Sequence, residues 1–289
     1  MNYDALMLGY RFGSETVFAE PPQTHTGSTG STLSAAAGQS LEFREHRDYQ
    51  PGDDLRQIDW NAYARSDRLT VKRYRDEIHP HVDLLLDVSK SMDLHGTKKS
   101  EATYALAGFF AAAAAESHFS FKTFITADGC QPLERSHLLP TDWQNFDLNA
   151  VVSPAEALNQ LPPNWKPRSI RIVVSDFLFL SKPETVAAAV ANESAETILV
   201  QLLAQDDTDP PERGNVRLTD CESGEKLELY LDPLTKERYK RNLTKHQENY
   251  HIAARKYGAV FCTVIAEQFL ETERLDELFH RGILRYGSF

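Results

Sequence analysis

Apolar residues dominate several short blocks of this chain, with helical patterns between them. Val82–Asp87 reads as a buried strand, and Lys99 to Ser117 as an Ala-rich, aromatic-bearing helix buried on most sides. Ser120–Thr126 is the next strand. Ser153 to Leu161 reads as a short helix with Ser153 as its cap and Pro154 at its first position. Ile170–Val174, Thr197–Leu203 and Val260–Ile265 complete the apolar strands. Helices are expected at Pro183 to Asn192, at Leu234 to Lys256 with Gly258 as its stop, and at Glu271–Phe279. Continuous apolar strands alternating with helices predict an α/β domain whose mainly parallel sheet is covered on both faces. Gly214–Leu231 breaks this rhythm and reads as a hairpin insertion.

The first 80 residues are patterned differently. Thr24 to Ser40 is mostly Gly, Ser, Thr and Ala, a composition that buries little. Residues 1–40 are therefore read as a flexible arm. Residues 41–80 are dense in charge of both signs, with Tyr49, Trp60, Tyr63 and Tyr74 interleaved, and Leu69 to Tyr74 alternates as a strand does. They are read as strands and turns packed on the main domain, which spans 81–289.

Candidate chemistry concentrates where the first apolar strand ends. Asp87-Val88-Ser89-Lys90-Ser91 places one carboxylate and two hydroxyls at alternate positions. Hard cations such as Mg²⁺ take oxygen ligands and keep several waters. Ligands of open parallel sheets sit outside the carboxyl ends of the strands. Ser175-Asp176 ends a second strand, and Ser153 could add a third hydroxyl; convergence requires the two strands to be neighbours. Asp93 and His95 lie close in sequence, at the rim. Asp and Ser at strand ends also cap helices, so a purely structural role competes with coordination. Asp83, inside the first strand, reads as an edge or solvent-facing residue.

A second segment is Arg47-Asp48-Tyr49-Gln50-Pro51-Gly52-Asp53-Asp54-Leu55-Arg56-Gln57-Ile58-Asp59-Trp60. Pro-Gly-Asp-Asp favours a tight turn. One reading is a hairpin buttressed by ion pairs, with Arg56 and Asp59 spaced to pair. The other is a docking surface of Arg47, Tyr49, Asp53, Asp54, Arg56, Asp59 and Trp60, since Trp, Tyr and Arg are enriched at binding hot spots.

Composition narrows the function. The chain has 289 residues, 41% apolar and 25% charged, with a net charge of −11, which disfavours nucleic acid and anionic membrane surfaces. Met1-Asn2-Tyr3-Asp4 lacks the features of a signal peptide. The longest apolar stretch, Tyr104 to Ala115, falls well short of the roughly 20 residues a membrane span needs. Cys130, Cys221 and Cys262 form no disulfide or metal pattern. A cytoplasmic protein is expected. No GxxxxGK[ST], GxGxxG, HExxH or GxSxG pattern is present.

Taken together, Glu42 through Trp60, Ala64-Arg65 and Leu86-Asp87-Val88-Ser89-Lys90-Ser91-Met92 resemble the von Willebrand factor A-like bacterial and archaeal family listed as domain of unknown function number fifty-eight. The resemblance runs from about residue 25 to residue 265. It implies a Rossmann-like von Willebrand factor A-type domain with a divalent-cation site, Mg²⁺ or else Mn²⁺ or Ca²⁺. Asp87, Ser89 and Ser91 would be ligands, Asp176 matches the third-segment aspartate, and Ser153 is the best match to a position normally held by Thr. Members are often encoded beside MoxR-type AAA+ ATPases, which implies an adaptor or co-chaperone role. The chain is similar to the soluble branch that lacks preceding membrane helices. The function expected is a non-enzymatic, metal-dependent protein-interaction module. The alternatives are a metal-dependent phosphoester hydrolase, with Asp93 or His95 as base, and a metal-free module that binds through residues 41–80.

Overall fold

A computed structural model describes residues 2–19, 41–76, 80–210, 214–221 and 224–287. Thr24 to Ser40, expected as part of a mobile arm, lies outside the described residues. The chain divides into two compact units, residues 24–79 and the remainder.

The larger unit begins with helix α1 (Tyr3–Gly13) and strand β1 (Thr16–Phe18). These residues correct the expectation of an arm over 1–40. Leu6, Phe12 and Phe18 are buried in the main core, and the close approach of helices explains why. Gly9 of α1 faces the carbonyl oxygen of Ala105, and Gly108 faces that of Leu6; a Cβ at either position would fall on backbone.

The smaller unit is an antiparallel pair, β2 (Leu41–Asp48) and β3 (Thr70–Asp76), joined by a connection that carries helix α2 (Trp60–Ser66). Ile58 and Val71 are its buried apolar residues among those described.

The larger unit resumes with β4 (His81–Leu86), α3 (Lys99–Glu116), β5 (Ser120–Ala127) and β6 (Gly129–Pro132). Next come α4 (Pro154–Gln160), β7 (Ile170–Ser175), α5 (Pro183–Ala191) and β8 (Glu196–Leu203). Helix α6 (Gln205–Thr208) leads to the hairpin β9 (Gly214–Thr219) and β10 (Lys226–Leu231), which among the described residues forms its own two-stranded sheet. Helix α7 (Pro233–Lys256) and strand β11 (Val260–Ile265) follow. The expected helix at Glu271–Phe279 is two: α8 (Ala266–Thr272) and α9 (Asp276–His280). Glu273, at φ 62°, takes the left-handed conformation that ends a helix. Strand β12 (Leu284–Tyr286) pairs with β1 and ties the two ends of the chain together.

The central sheet has six strands in the order β11-β8-β7-β4-β5-β6, all parallel except the edge strand β6. Successive residues of β4 serve opposite faces: Leu84 and Leu86 join the core with α3, and Leu85 joins the core with Tyr250 of α7. With both faces covered, most positions of the strands are apolar, which explains the apolar blocks, and Asp83, Arg171 and Gln201 are buried polar exceptions. Asp83 corrects its expected place at an edge. It is fully buried in a central strand, where it accepts from the amide of Lys166 (2.9 Å) and lies 2.9 Å from the His81 imidazole.

Candidate functional site

From β4 the chain passes to β5 on one side of the sheet, then returns to β7 on the other. Such a switch point opens a crevice at the carboxyl ends of the strands. Asp87 and Asp176 stand there, each just beyond its strand. The Asp87 amide still pairs with the Val174 carbonyl at 2.9 Å, so the two strand ends are held in register.

Asp87 is 1% exposed. Its Oδ1 accepts from the Ser89 amide at 2.9 Å and lies 3.5 Å from the Thr126 hydroxyl. Its Oδ2 accepts from the Ser175 hydroxyl at 2.7 Å. Burial, and then the charge of Asp176, push this carboxyl up from an ordinary 3.8 to about 6, against the hydrogen bonds of Ser175 and Ser89. The hydroxyls of Ser89 and Ser91 lie 3.0 Å apart, with Ser89 buried and Ser91 half-buried.

Asp176 is also buried. Its Oδ1 accepts from the Leu178 amide at 3.1 Å, and its Oδ2 from the Lys99 ammonium at 2.8 Å. That ammonium lies 3.6 Å from Asp207 as well. Burial alone would push Lys99 down, but Asp176 and Asp207 more than offset it and hold the ammonium above its usual value. Lys99, Thr126 and Asp207 were missed by the sequence reading. The one signal for Lys99 was its place at the first residue of a helix, where the dipole disfavours a cation.

Ser153 follows a segment that runs beside this centre, and its hydroxyl serves as a helix cap. The Ala150 amide donates to the Val88 carbonyl at 2.8 Å, and the Lys90 amide to the Ala150 carbonyl at 3.1 Å, so residues 149–151 run beside the Asp87 loop. Three residues on, the Ser153 hydroxyl accepts from the Glu156 amide (3.4 Å) and the Ser153 amide donates to the Glu156 carboxylate (3.1 Å), closing a capping box on α4; the hydroxyl also donates to that carboxylate (3.1 Å). The expected cap is therefore present. Asp93 and His95 are exposed, and Asp93 lines a groove of about 700 Å³ with Asp4, Tyr104 and Asp147.

Within residues 41–76 the candidates divide. Arg47 pairs with Asp53 at 2.6 Å, and Asp53 also accepts from the Gln50 amide at 2.9 Å, which stiffens the Pro51-Gly52 turn. Asp54 accepts from the Arg56 amide at 2.9 Å. Asp59 caps α2 by accepting from the amides of Asn61 (3.0 Å) and Ala62 (3.1 Å). Tyr49 is half-buried, and its amide donates to the Leu69 carbonyl at 2.9 Å. Arg56 and Trp60 are exposed; Trp60 is 61% exposed and meets Tyr63 edge-on.

Among the described residues no group of three or more His, Cys, Asp or Glu is placed to hold a metal ion. None of the helices among them is long and apolar enough to cross a membrane.

The chain is similar to the uncharacterized proteins Rv1480 of Mycobacterium tuberculosis and Mb1516 of Mycobacterium bovis. Each is 25% identical over 242 residues, which is 80% of this chain and 76% of theirs. Two solved structures each overlay on 70% of this chain and 99% of their own. They are the conserved hypothetical protein BatB from Bacteroides thetaiotaomicron (15% identity, TM-score 0.34) and an aerotolerance-related membrane protein from Bacteroides fragilis (12%, 0.33). Residues 45–125 and 150–249, well over half of the chain, match the family described as protein of unknown function DUF58, and the chain belongs to that family.

Proposed function

We propose that the chain is a von Willebrand factor A-like, divalent-cation-dependent protein-interaction module, acting as an adaptor for a MoxR-type AAA+ ATPase. The observation that carries this reading is the pairing of a buried carboxylate, raised by burial and by the charge of Asp176, with two adjacent hydroxyls at the switch point of the sheet. Among the described residues no cation lies within ion-pair distance of Asp87, and burial and the charge of Asp176 raise its carboxyl. The donors are all oxygen, the set that hard cations take. Asp87, Ser89 and Ser91 would hold the ion, with Asp176 contributing charge from beside it. A bound Mg²⁺ would supply an electrophilic position for a partner's carboxylate. Ser153, held in its capping box, is left out of this donor set.

The protein's own groups do the rest. Ser175 and the Ser89 amide fix the orientation of Asp87, and the segment at Ala150 holds the Ser89 turn against the sheet. The exposed Trp60 and Arg56 of the smaller unit offer a second contact surface.

The test is Mg²⁺-dependent capture of a MoxR-type AAA+ ATPase from the same organism by the purified chain. Asp87→Ala should abolish capture while leaving the far-ultraviolet circular dichroism unchanged. Full Mg²⁺-dependent capture by that variant refutes the metal reading.

A further inference from the structure

We propose that Lys99 is a tethered cation that sets how tightly the Asp87–Asp176 site takes a divalent metal. The inference rests on the metal reading above, and concerns a residue outside the donor set.

Lys99 is fully buried, with its ammonium 2.8 Å from Asp176 and 3.6 Å from Asp207. It opens an 18-residue helix, where the backbone dipole works against a positive charge. The helix therefore gains nothing from it, and the two carboxylates, Asp176 just after β7 and Asp207 in α6, account for its position. Asp207 is itself fixed, since its Oδ2 accepts from the Ala204 amide at 2.8 Å.

The local charges make Lys99 a competitor for any metal. With all three ionised, Asp87, Asp176 and Asp207 face one buried ammonium, which among the described residues leaves two negative charges unmatched. A divalent cation brings the cluster to neutrality. Asp176, however, has one oxygen taken by Lys99 before any metal arrives. In a partly buried site the repulsion between an ammonium and an incoming dication is screened far less than in water. A lysine is a compact charge on a flexible stem, so it can yield to the metal without leaving the site. The site is thereby set to weak, exchangeable occupancy, and removing the ammonium should convert it to a tight one.

The experiment is isothermal titration of Mn²⁺ into the full chain, with melting curves in chelator and in Mn²⁺. Lys99→Met should bind Mn²⁺ at least about tenfold more tightly than the parent. Its melting temperature should fall in chelator, where Asp176 is left unpaired, and recover with the metal. Lys99→Arg keeps the charge and should stay within about threefold of the parent. If Lys99→Met does not fold, Asp176→Asn is compared with the double variant Lys99→Met, Asp176→Asn, which leaves no buried ion unpaired at that contact. The double variant should bind Mn²⁺ more tightly than Asp176→Asn alone. Binding only by the Lys99→Met variant supports the proposal in its strongest form, with the ammonium standing in for the metal. Binding by the parent with equal or weaker binding by Lys99→Met overturns the role of Lys99 and leaves the metal reading intact. No binding by either protein overturns the metal reading itself.

Discussion

Replacing Asp87 by asparagine should stabilise the metal-free protein at neutral pH, although this is the central residue of the candidate site. The carboxyl is buried beside Asp176 and pushed up to about 6 from an ordinary 3.8. Because the folded state holds this proton more tightly than the unfolded chain does, its contribution is fully present below pH 3.8 and is lost as pH rises through about 6. Above that range the ionised group destabilises the fold by about 3 kcal/mol. Asparagine removes the charge but weakens the bond from the Ser175 hydroxyl, which returns about 1–2 kcal/mol of the gain. Its side-chain oxygen still accepts from the Ser89 amide. The net expectation is a metal-free Asp87→Asn protein about 1–2 kcal/mol more stable than the parent at pH 7.5. The difference should vanish or reverse at pH 4.

Urea melts of both proteins in chelator, at the two pH values, measure this directly. Taking the difference between variant and parent cancels the other carboxylates that titrate in the same range. A variant less stable than the parent by 1 kcal/mol or more at pH 7.5 would refute the reasoning. It would mean that the hydrogen bonds to Asp87 outweigh its burial, and that the site has no charge deficit for a cation to relieve.

Ser153→Ala should destabilise the larger unit by about 1 kcal/mol through loss of the α4 cap and leave the Mn²⁺ affinity unchanged; weakened binding would restore Ser153 to the donor set. Gly108→Ala places a methyl group against the Leu6 carbonyl and should cost about 1–3 kcal/mol in chemical denaturation. Burial pushes the thiols of Cys130 and Cys262 up to about 12, so in the native protein a thiol reagent should modify the half-buried Cys221 first and reach the other two only on unfolding. Trp60→Ala should leave the melting temperature unchanged, because the ring is mostly exposed, and lower capture of the proposed ATPase partner severalfold.

The larger unit was legible where burial acts on both faces of an element. Strands β4, β7, β8 and β11 have no polar face to show, so their apolar runs stood out and their bounds fall within a residue or two of those expected. Helix α1 was invisible for the opposite reason. It is short, and its contact with α3 depends on Gly9, Gly13 and Gly108, residues that mark a close approach only once the partner helix is known. The break between α8 and α9 depends on a single left-handed Glu273, a conformation that no pattern in the chain announces.

At the site, sequence spacing found the groups that lie on one turn and missed those that arrive from other strands. Asp87, Ser89 and Ser91 share a loop, so alternation revealed them. Thr126 and Ser175 reach Asp87 only because β5 and β7 flank β4, and Asp207 joins through a lysine from the start of α3. The same distinction separates Ser153 from the rest. A serine before a proline can serve as a ligand or as a helix cap, and here Glu156 engages it as a cap by completing the capping box. What the chain alone could not reveal was charge balance. Lys99 reads as one surface-type residue among 31 Lys and Arg, yet it is buried between two carboxylates. A carboxylate with hydroxyls around it is a common strand-end cap. It becomes a candidate cation site when a third carboxylate and a lone ammonium leave it short of positive charge.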